Sequence, residues 1–304
     1  MMGKLEFYVK SMRLRTLPLS LSGVVLGMSL AASDYKISWL VAALVALTTC
    51  SLQVLSNISN ELGDALSGVD TEDRKGPQYS LSAGGLTVAE MRRFIKIMAL
   101  ACMLSGLLML YASFGTLFAL EPLCLTALGA AAIGGAIKYT LGPNPYGYRG
   151  LGDISVFIFF GIVSLLGSYF VVAHTIPSWI FILPAAAIGC FSVGVLNVNN
   201  MRDMKTDAGI RVTVPIRIGL RNAKIYHTVL IVAGWACLTA FNLMRYPDPW
   251  HWLFFITLPL YVRHLAGVWK LSGRALDSML PMLVLITFAL SVLMSLGYLM
   301  FLIA

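Results

Sequence analysis

Residues 38–64 read SWLVAALVALTTCSLQVLSNISNELGD. From Ser38 to Ile58 there is no charged residue, and then Asn60, Glu61 and Asp64 follow at once. The first part is long enough to cross a bilayer, since about 20 apolar residues in a helix span the hydrocarbon core. The second part puts amides and carboxylates where that helix leaves the apolar layer. A membrane helix that ends in clustered acid predicts both the fold class and the place of a site.

Working outward, eight more segments have the same length and character. The predicted spans are 16–33, 38–58, 93–112, 118–137, 151–173, 179–199, 226–244, 250–270 and 278–303, which makes the chain an all-α polytopic membrane bundle of nine transmembrane helices within one domain. Gly and Pro occur in several spans, as membrane helices tolerate. Glu121-Pro122 makes the start of the fourth the weakest boundary. The first span follows Lys4, Lys10, Arg13 and Arg15 and ends in Ala31-Ala32-Ser33, a pattern shared with signal peptides. Eight following spans favour an uncleaved helix.

Composition agrees. Of 304 residues, 58% are hydrophobic and 12% charged, and mean hydropathy is +0.82. Soluble domains carry about twice that share of charge, and disordered chains have the opposite balance. With the N-terminus placed in the cytoplasm, every Lys and Arg except Lys36 and Arg245 falls on the cytoplasmic side, as the positive-inside rule requires. The net charge of +8 therefore reports orientation and not a nucleic-acid footprint. The expected location is a bacterial-type cytoplasmic membrane with the site facing the cytoplasm. Cys50, Cys102, Cys124, Cys190 and Cys237 sit in apolar runs without a Cys-x-x-Cys pair and are expected as buried hydrophobes. The four histidines have no metal-ligand spacing.

Half of the 14 acidic residues lie in two windows, 61–73 and 203–207. Both follow spans that run toward the same face. Asn57, Asn60 and Asp64 are three and four residues apart and share a helix face; so do Asn200, Asp203 and Asp207. Oxygen ligands of this kind suit Mg2+, which keeps water or phosphate oxygens in its shell. Arg74, Lys75, Arg202, Lys205 and Arg211 stand in the same loops and are placed to neutralise a diphosphate. Any one such residue is ordinarily a cap or a solvated loop residue. That explanation suffices for Glu72, Glu90 and Arg92, and two matching constellations at one face exceed it. Tyr146 and Tyr148 suit the interfacial aromatic belt. Asp153 is balanced between a helix-dipole charge and a site role, and the roles of Arg149 and Tyr146 stay open.

The first window, Asn60-Glu61-Leu62-Gly63-Asp64 followed by Gly68-Val69-Asp70-Thr71-Glu72-Asp73-Arg74 and Gly76-Pro77, resembles the first aspartate-rich motif of the UbiA superfamily of intramembrane prenyltransferases. Its Gly-x-Asp-x-x-Asp-Arg continuation is similar to the 1,4-dihydroxy-2-naphthoate polyprenyltransferase (MenA) branch. Asn199-Asn200-Met201-Arg202-Asp203-Met204-Lys205-Thr206-Asp207 with Gly209, Arg211, Thr213, Pro215, Arg217 and Gly219 resembles the second motif. Lys138-Tyr139-Thr140, Pro145-Tyr146-Gly147-Tyr148, Gly150 to Asp153 and the Arg13-x-Arg15-Thr16-Leu17-Pro18 entry are also similar. Glu61 stands where the family usually has Asp, and Ile210 where a Lys often follows the glycine. The likeness runs from about residue 11 to 220.

The resemblance implies nine helices around a central cavity capped by the two motifs. It implies an Mg2+-dependent transfer, with Mn2+ as an alternative cation, from a polyprenyl diphosphate to an aromatic acceptor in contact with membrane lipid. In the MenA branch the acceptor loses its carboxylate and gives demethylmenaquinone. Carried over by residue, Asn60, Asp64, Asp70, Asp203 and Asp207 would hold metal. Asn60, Asn200, Arg74, Lys75, Lys138, Lys205 and Arg211 would contact the diphosphate. Asp64, Asp203, Asp207, Asp73 and Tyr139 would be catalytic, Asp73 by orienting a basic partner or deprotonating the acceptor. Two alternatives stay open: another acceptor such as 4-hydroxybenzoate, and an ion-coupled secondary transporter. Acid at helix ends also marks transporters, although the two motifs share one face and do not form an inverted pair.

Overall fold

The computed structural model describes residues 3–68, 80–81, 83–245 and 248–300. Asp70, Glu72, Asp73, Arg74 and Lys75 lie outside them. Nine helices among the described residues are long and apolar enough to cross a membrane. The N-terminal one is broken into α1 (Lys4–Met12) and α2 (Leu17–Asp34). Then follow α3 (Trp39–Leu66), α4 (Val88–Phe114), α5 (Leu120–Lys138), α6 (Gly152–Ala173), α7 (Trp179–Asp207), α8 (Val214–Met244), α9 (Pro249–Lys270) and α10 (Gly273–Met300). One isolated bridge, Arg149 to Val212, is the only β-type pairing among the described residues.

The count agrees with the apolar pattern, but the helices are longer at the charged end. α3 runs to Leu66 rather than 58, and α7 to Asp207 rather than 199. α4 starts at Val88, capped by Thr87 and Glu90 in a reciprocal box, so Glu90 is a helix cap as its bland reading held. Hydropathy stops where polar residues begin, whereas hydrogen bonding does not. The extra turns carry Asn60, Asp64, Asp203 and Asp207. Pro122 falls in the first turn of α5, where a missing N–H costs nothing. α8 breaks at Gly219, whose φ is +79°.

α7 is the centre, with 56% of its apolar window buried, whereas α5 has 6% buried. Between α7 and α2 lies α6. Its middle, Phe157–Gly167, winds as a π-helix, a rare form that tends to occur at functional sites. Two close approaches fix it. A Cβ on Gly23 or Gly27 of α2 would lie 2.5 Å from Ser164 Oγ or 2.4 Å from the Leu165 carbonyl; one on Gly161 would lie 2.5 Å from the Ala185 carbonyl of α7. Small residues at these crossings let backbones touch. One side of the π-helix is thereby held against two helices, and its other side lines a cavity.

Candidate active site

The cavity has a volume of about 410 Å³ and is lined by α2 to α7 and the loops at the charged end. No residue of α8, α9 or α10 lines it. Val45 and Asp64 both do. They are 19 residues apart on α3, about 28 Å at 1.5 Å per residue. The cavity therefore runs through most of a bilayer's thickness. Its far part is apolar, with Val24, Val45, Met109, Leu125, Phe160 and Val163; its near part holds Asn57, Asn60, Asp64, Asn199, Asn200, Arg202 and Arg211.

The two acid windows meet through one arginine. Arg211 donates from Nη2 to Asp207 Oδ1 at 2.8 Å and from Nη1 to Asp64 Oδ1 at 3.5 Å. Burial works against its charge, but Asp64 and Asp207 outweigh burial and hold the guanidinium above the usual arginine range. Asp64 is 4%, Asp203 3% and Asp207 0% exposed, so these carboxylates are desolvated and need cationic partners. Arg202 grips Asp203 with two bonds of 2.8 and 2.6 Å. Buried guanidinium groups thus stand among the carboxylates and offset their mutual repulsion.

Tyr148 departs from the sequence reading. It is not a belt residue. Its hydroxyl donates to Asp64 Oδ1 at 2.8 Å, its ring lies 5.5 Å from the Arg211 guanidinium, and its carbonyl accepts from Val212 N. The loop before α6 is therefore laced to the loop after α7. Burial, and then Asp64, push the Tyr148 phenol above its usual range. Burial does the same to Tyr139, which lines the cavity with its ring centroid 5.3 Å from that of Tyr146. Burial thus keeps both phenols protonated, and the Tyr148 hydroxyl donates to Asp64.

Asn60 lines the cavity and accepts from Thr140 Oγ1 at 3.2 Å. Gly63 is small where Thr140 packs, since a Cβ there would lie 2.5 Å from the threonine Cβ. Asn57 shares the helix face but serves the N-terminal bend, donating to Met12 O at 2.8 Å and Thr16 Oγ1 at 2.9 Å. That bend puts Arg13, at φ +49°, into the cavity wall. Glu61 points away and accepts from Leu81 N at 2.9 Å. Lys138, Lys205 and Arg149 are exposed and do not line the cavity. Asp153 does line it and accepts from Tyr226 of α8 at 2.9 Å, so it is more than a dipole charge. Asp277, which carries no sequence signal, reaches Arg202 at 2.6 Å.

Among the described residues no three His, Cys, Asp or Glu side chains are grouped to hold a metal by themselves. Asn60, Asp64 and Asn200 line the cavity, however, and Asp64 shares the Arg211 guanidinium with Asp207, which does not line it. An all-oxygen, incomplete ligand set fits Mg2+, which is usually bound by one or two carboxylates plus waters and phosphate oxygens.

Residues 20–278 match the profile of the UbiA prenyltransferase family. A relative from Escherichia coli (strain K12) named 1,4-dihydroxy-2-naphthoate octaprenyltransferase is 40% identical over 86% of this chain and 84% of its own. One of the same name from Haemophilus influenzae is 36% identical over 97% and 96%. Among solved structures, a UbiA homolog from Aeropyrum pernix K1 superposes with a TM-score of 0.66 at 15% identity, covering 99% of this chain and all of that one. A UbiA homolog from Archaeoglobus fulgidus, solved with DMAPP and Mg2+ bound, gives 0.60 at 13% identity, covering 95% and 99%.

Proposed function

The chain belongs to the UbiA prenyltransferase family, and from that premise we propose that it transfers a polyprenyl group from polyprenyl diphosphate to 1,4-dihydroxy-2-naphthoate. The acceptor loses its carboxylate and the product is the hydroquinone form of demethylmenaquinone. An enzyme that transfers prenyl groups displaces the transporter alternative. The single observation that carries the finer reading is the shape of the cavity, which extends some 28 Å along α3 from carboxylates, amides and arginines at one end to Val24, Val45, Met109 and Leu125 at the other.

Asn60, Asp64, Asn200, Asp203 and Asp207 would hold Mg2+ against the diphosphate. Bound there, the cation supplies Lewis-acid stabilisation of the leaving group. Arg202 and Arg211 add fixed positive charge beside the oxygens on which negative charge grows as the allylic C–O bond breaks. Tyr139 and Tyr148 contribute neutral donors. The apolar walls from α5 and α6 keep water from the allyl cation, which water would trap as an alcohol. The electron-rich ring carbon attacks that cation; its bond to the carboxylate then breaks, carbon dioxide leaves, and the electron pair restores the ring. Lys and Arg asymmetry supports a cytoplasmic site.

Membranes containing the protein are tested with radiolabelled long-chain prenyl diphosphate, Mg2+ and either 1,4-dihydroxy-2-naphthoate or 4-hydroxybenzoate, with EDTA as control. A lipid product with the naphthoate alone, abolished by EDTA, is expected. A product with the benzoate moves the acceptor within the family. Product that survives EDTA removes the metal role.

A further inference from the structure

We propose that Asp277 is a positioning residue that sets, through Arg202, how strongly Asp203 attracts the metal–diphosphate group. The proposal rests on the metal role given above to Asp203.

Arg202 has a side chain only 4% exposed. It donates through Nε and Nη2 to both oxygens of Asp203, through Nη2 to Asn199 Oδ1 at 2.9 Å, and through Nη1 to Asp277 Oδ1 at 2.6 Å. A planar guanidinium has five donors in a rigid fork, so these bonds fix its plane. Asp277 lies in the turn Gly273–Ser278 that opens α10, on a helix with no residue in the cavity wall.

The charge balance gives the direction. Asp203, Arg202 and Asp277 together carry one net negative charge. Neutralising Asp277 leaves Arg202 facing Asp203 alone. The pair then sums to zero, the guanidinium is drawn more closely to Asp203, and the attraction for a divalent cation falls. Residues that orient a metal's ligands are commonly worth about 10- to 100-fold in metal affinity when replaced. Asp277 would do this from a helix remote in sequence, without touching substrate.

The test uses the full-length protein in detergent. Mn2+ binding in the presence of inorganic diphosphate is followed by the EPR signal of free Mn2+, and the Mg2+ dependence of turnover is measured in parallel. Asp277→Asn is expected to weaken Mn2+ binding and to raise the half-activating Mg2+ concentration about tenfold. At saturating Mg2+ its kcat stays within about twofold of the parent, and Asp277→Glu restores the metal dependence. Unchanged metal dependence in a folded Asp277→Asn protein overturns the proposal. So does a joint fall in melting temperature and kcat without a shift in metal requirement, which marks a merely structural contact. Asp203→Asn separates the two layers. If it binds Mn2+ like the parent, the metal role of Asp203 fails and the proposal with it; if it loses Mn2+ while Asp277→Asn does not, only the role of Asp277 fails.

Discussion

Asp64 accepts from Tyr148 and faces Arg211, and its charge is the reason both are there. Asp64→Asn keeps the shape and removes the charge. It is expected to lower kcat/KM by about 10²-fold or more, the scale of losing one electrostatic contact at a transition state, while the purified protein melts near the parent temperature. Near-normal turnover would take Asp64 out of the site. Tyr148→Phe isolates one bond, because the ring over Arg211 stays. A hydrogen bond to a charged group is worth about 1.5–3 kcal/mol, so kcat/KM is expected to fall by about 10- to 100-fold, measured with saturating Mg2+. Residue spacing alone paired Asn60 with Asp64 and Asn200 with Asp203. It could not separate Asn57, which shares the same face but is spent on Met12 and Thr16. Nor could it rank Tyr148 above a belt tyrosine, because the bond to Asp64 joins residues 84 apart. Asp277 is a lone loop acid in the sequence, and only the fold brings it to Arg202.

At the scale of the element, the apolar runs gave the helices and misplaced their ends. Hydropathy reports where lipid stops, and α3 and α7 continue for about two turns beyond it. The π-wound middle of α6 had no signature in hydropathy, and its close contacts with Gly23, Gly27 and the Ala185 carbonyl join residues far apart in sequence. Two glycines separate packing from substrate space. Gly27→Leu would drive a side chain into the Leu165 carbonyl and Ser168 Oγ, both 2.4 Å from its Cβ. Overpacking of this kind typically costs about 1–3 kcal/mol, and a backbone obstacle yields less than a side chain does. The variant is expected to melt lower and to lose turnover with every donor. Gly129 of α5 lines the cavity, and a Cβ there meets nothing within 4 Å. Gly129→Leu is expected to melt like the parent and to favour shorter prenyl diphosphates, checked by turnover across donors of graded length. Equal loss for all donors would move the prenyl chain elsewhere.

Across the whole molecule the helices divide by task. α2 to α7 enclose the cavity, and α8 to α10 brace it from outside. The braces meet cavity-lining side chains at Tyr226 with Asp153 and Asp277 with Arg202. The motifs legible in the sequence stop near residue 220, whereas the family match continues to residue 278: the bracing helices carry the likeness through apolar faces and a few polar clasps, not through a fixed set of ligands. One such clasp lies at the opposite end of the bundle. Arg245 pairs with Asp34, donates to Ser33 Oγ at 3.1 Å, and stands 5.0 Å over both Phe181 and Tyr298. It thereby ties α2, α7 and α10 together just beyond α8. Arg245→Leu leaves Asp34 without that partner and removes the cation from the aromatic faces. Each kcal/mol lost from a chain somewhat smaller than this one lowers the melting temperature by about 2–4 °C, so a fall of several degrees is expected. KM for both substrates should stay within about twofold, because the clasp is remote from Asp64 and Asp203. A changed KM at an unchanged melting temperature would mean that the far end of the bundle controls entry to the cavity, and the division between lining and bracing helices would no longer hold.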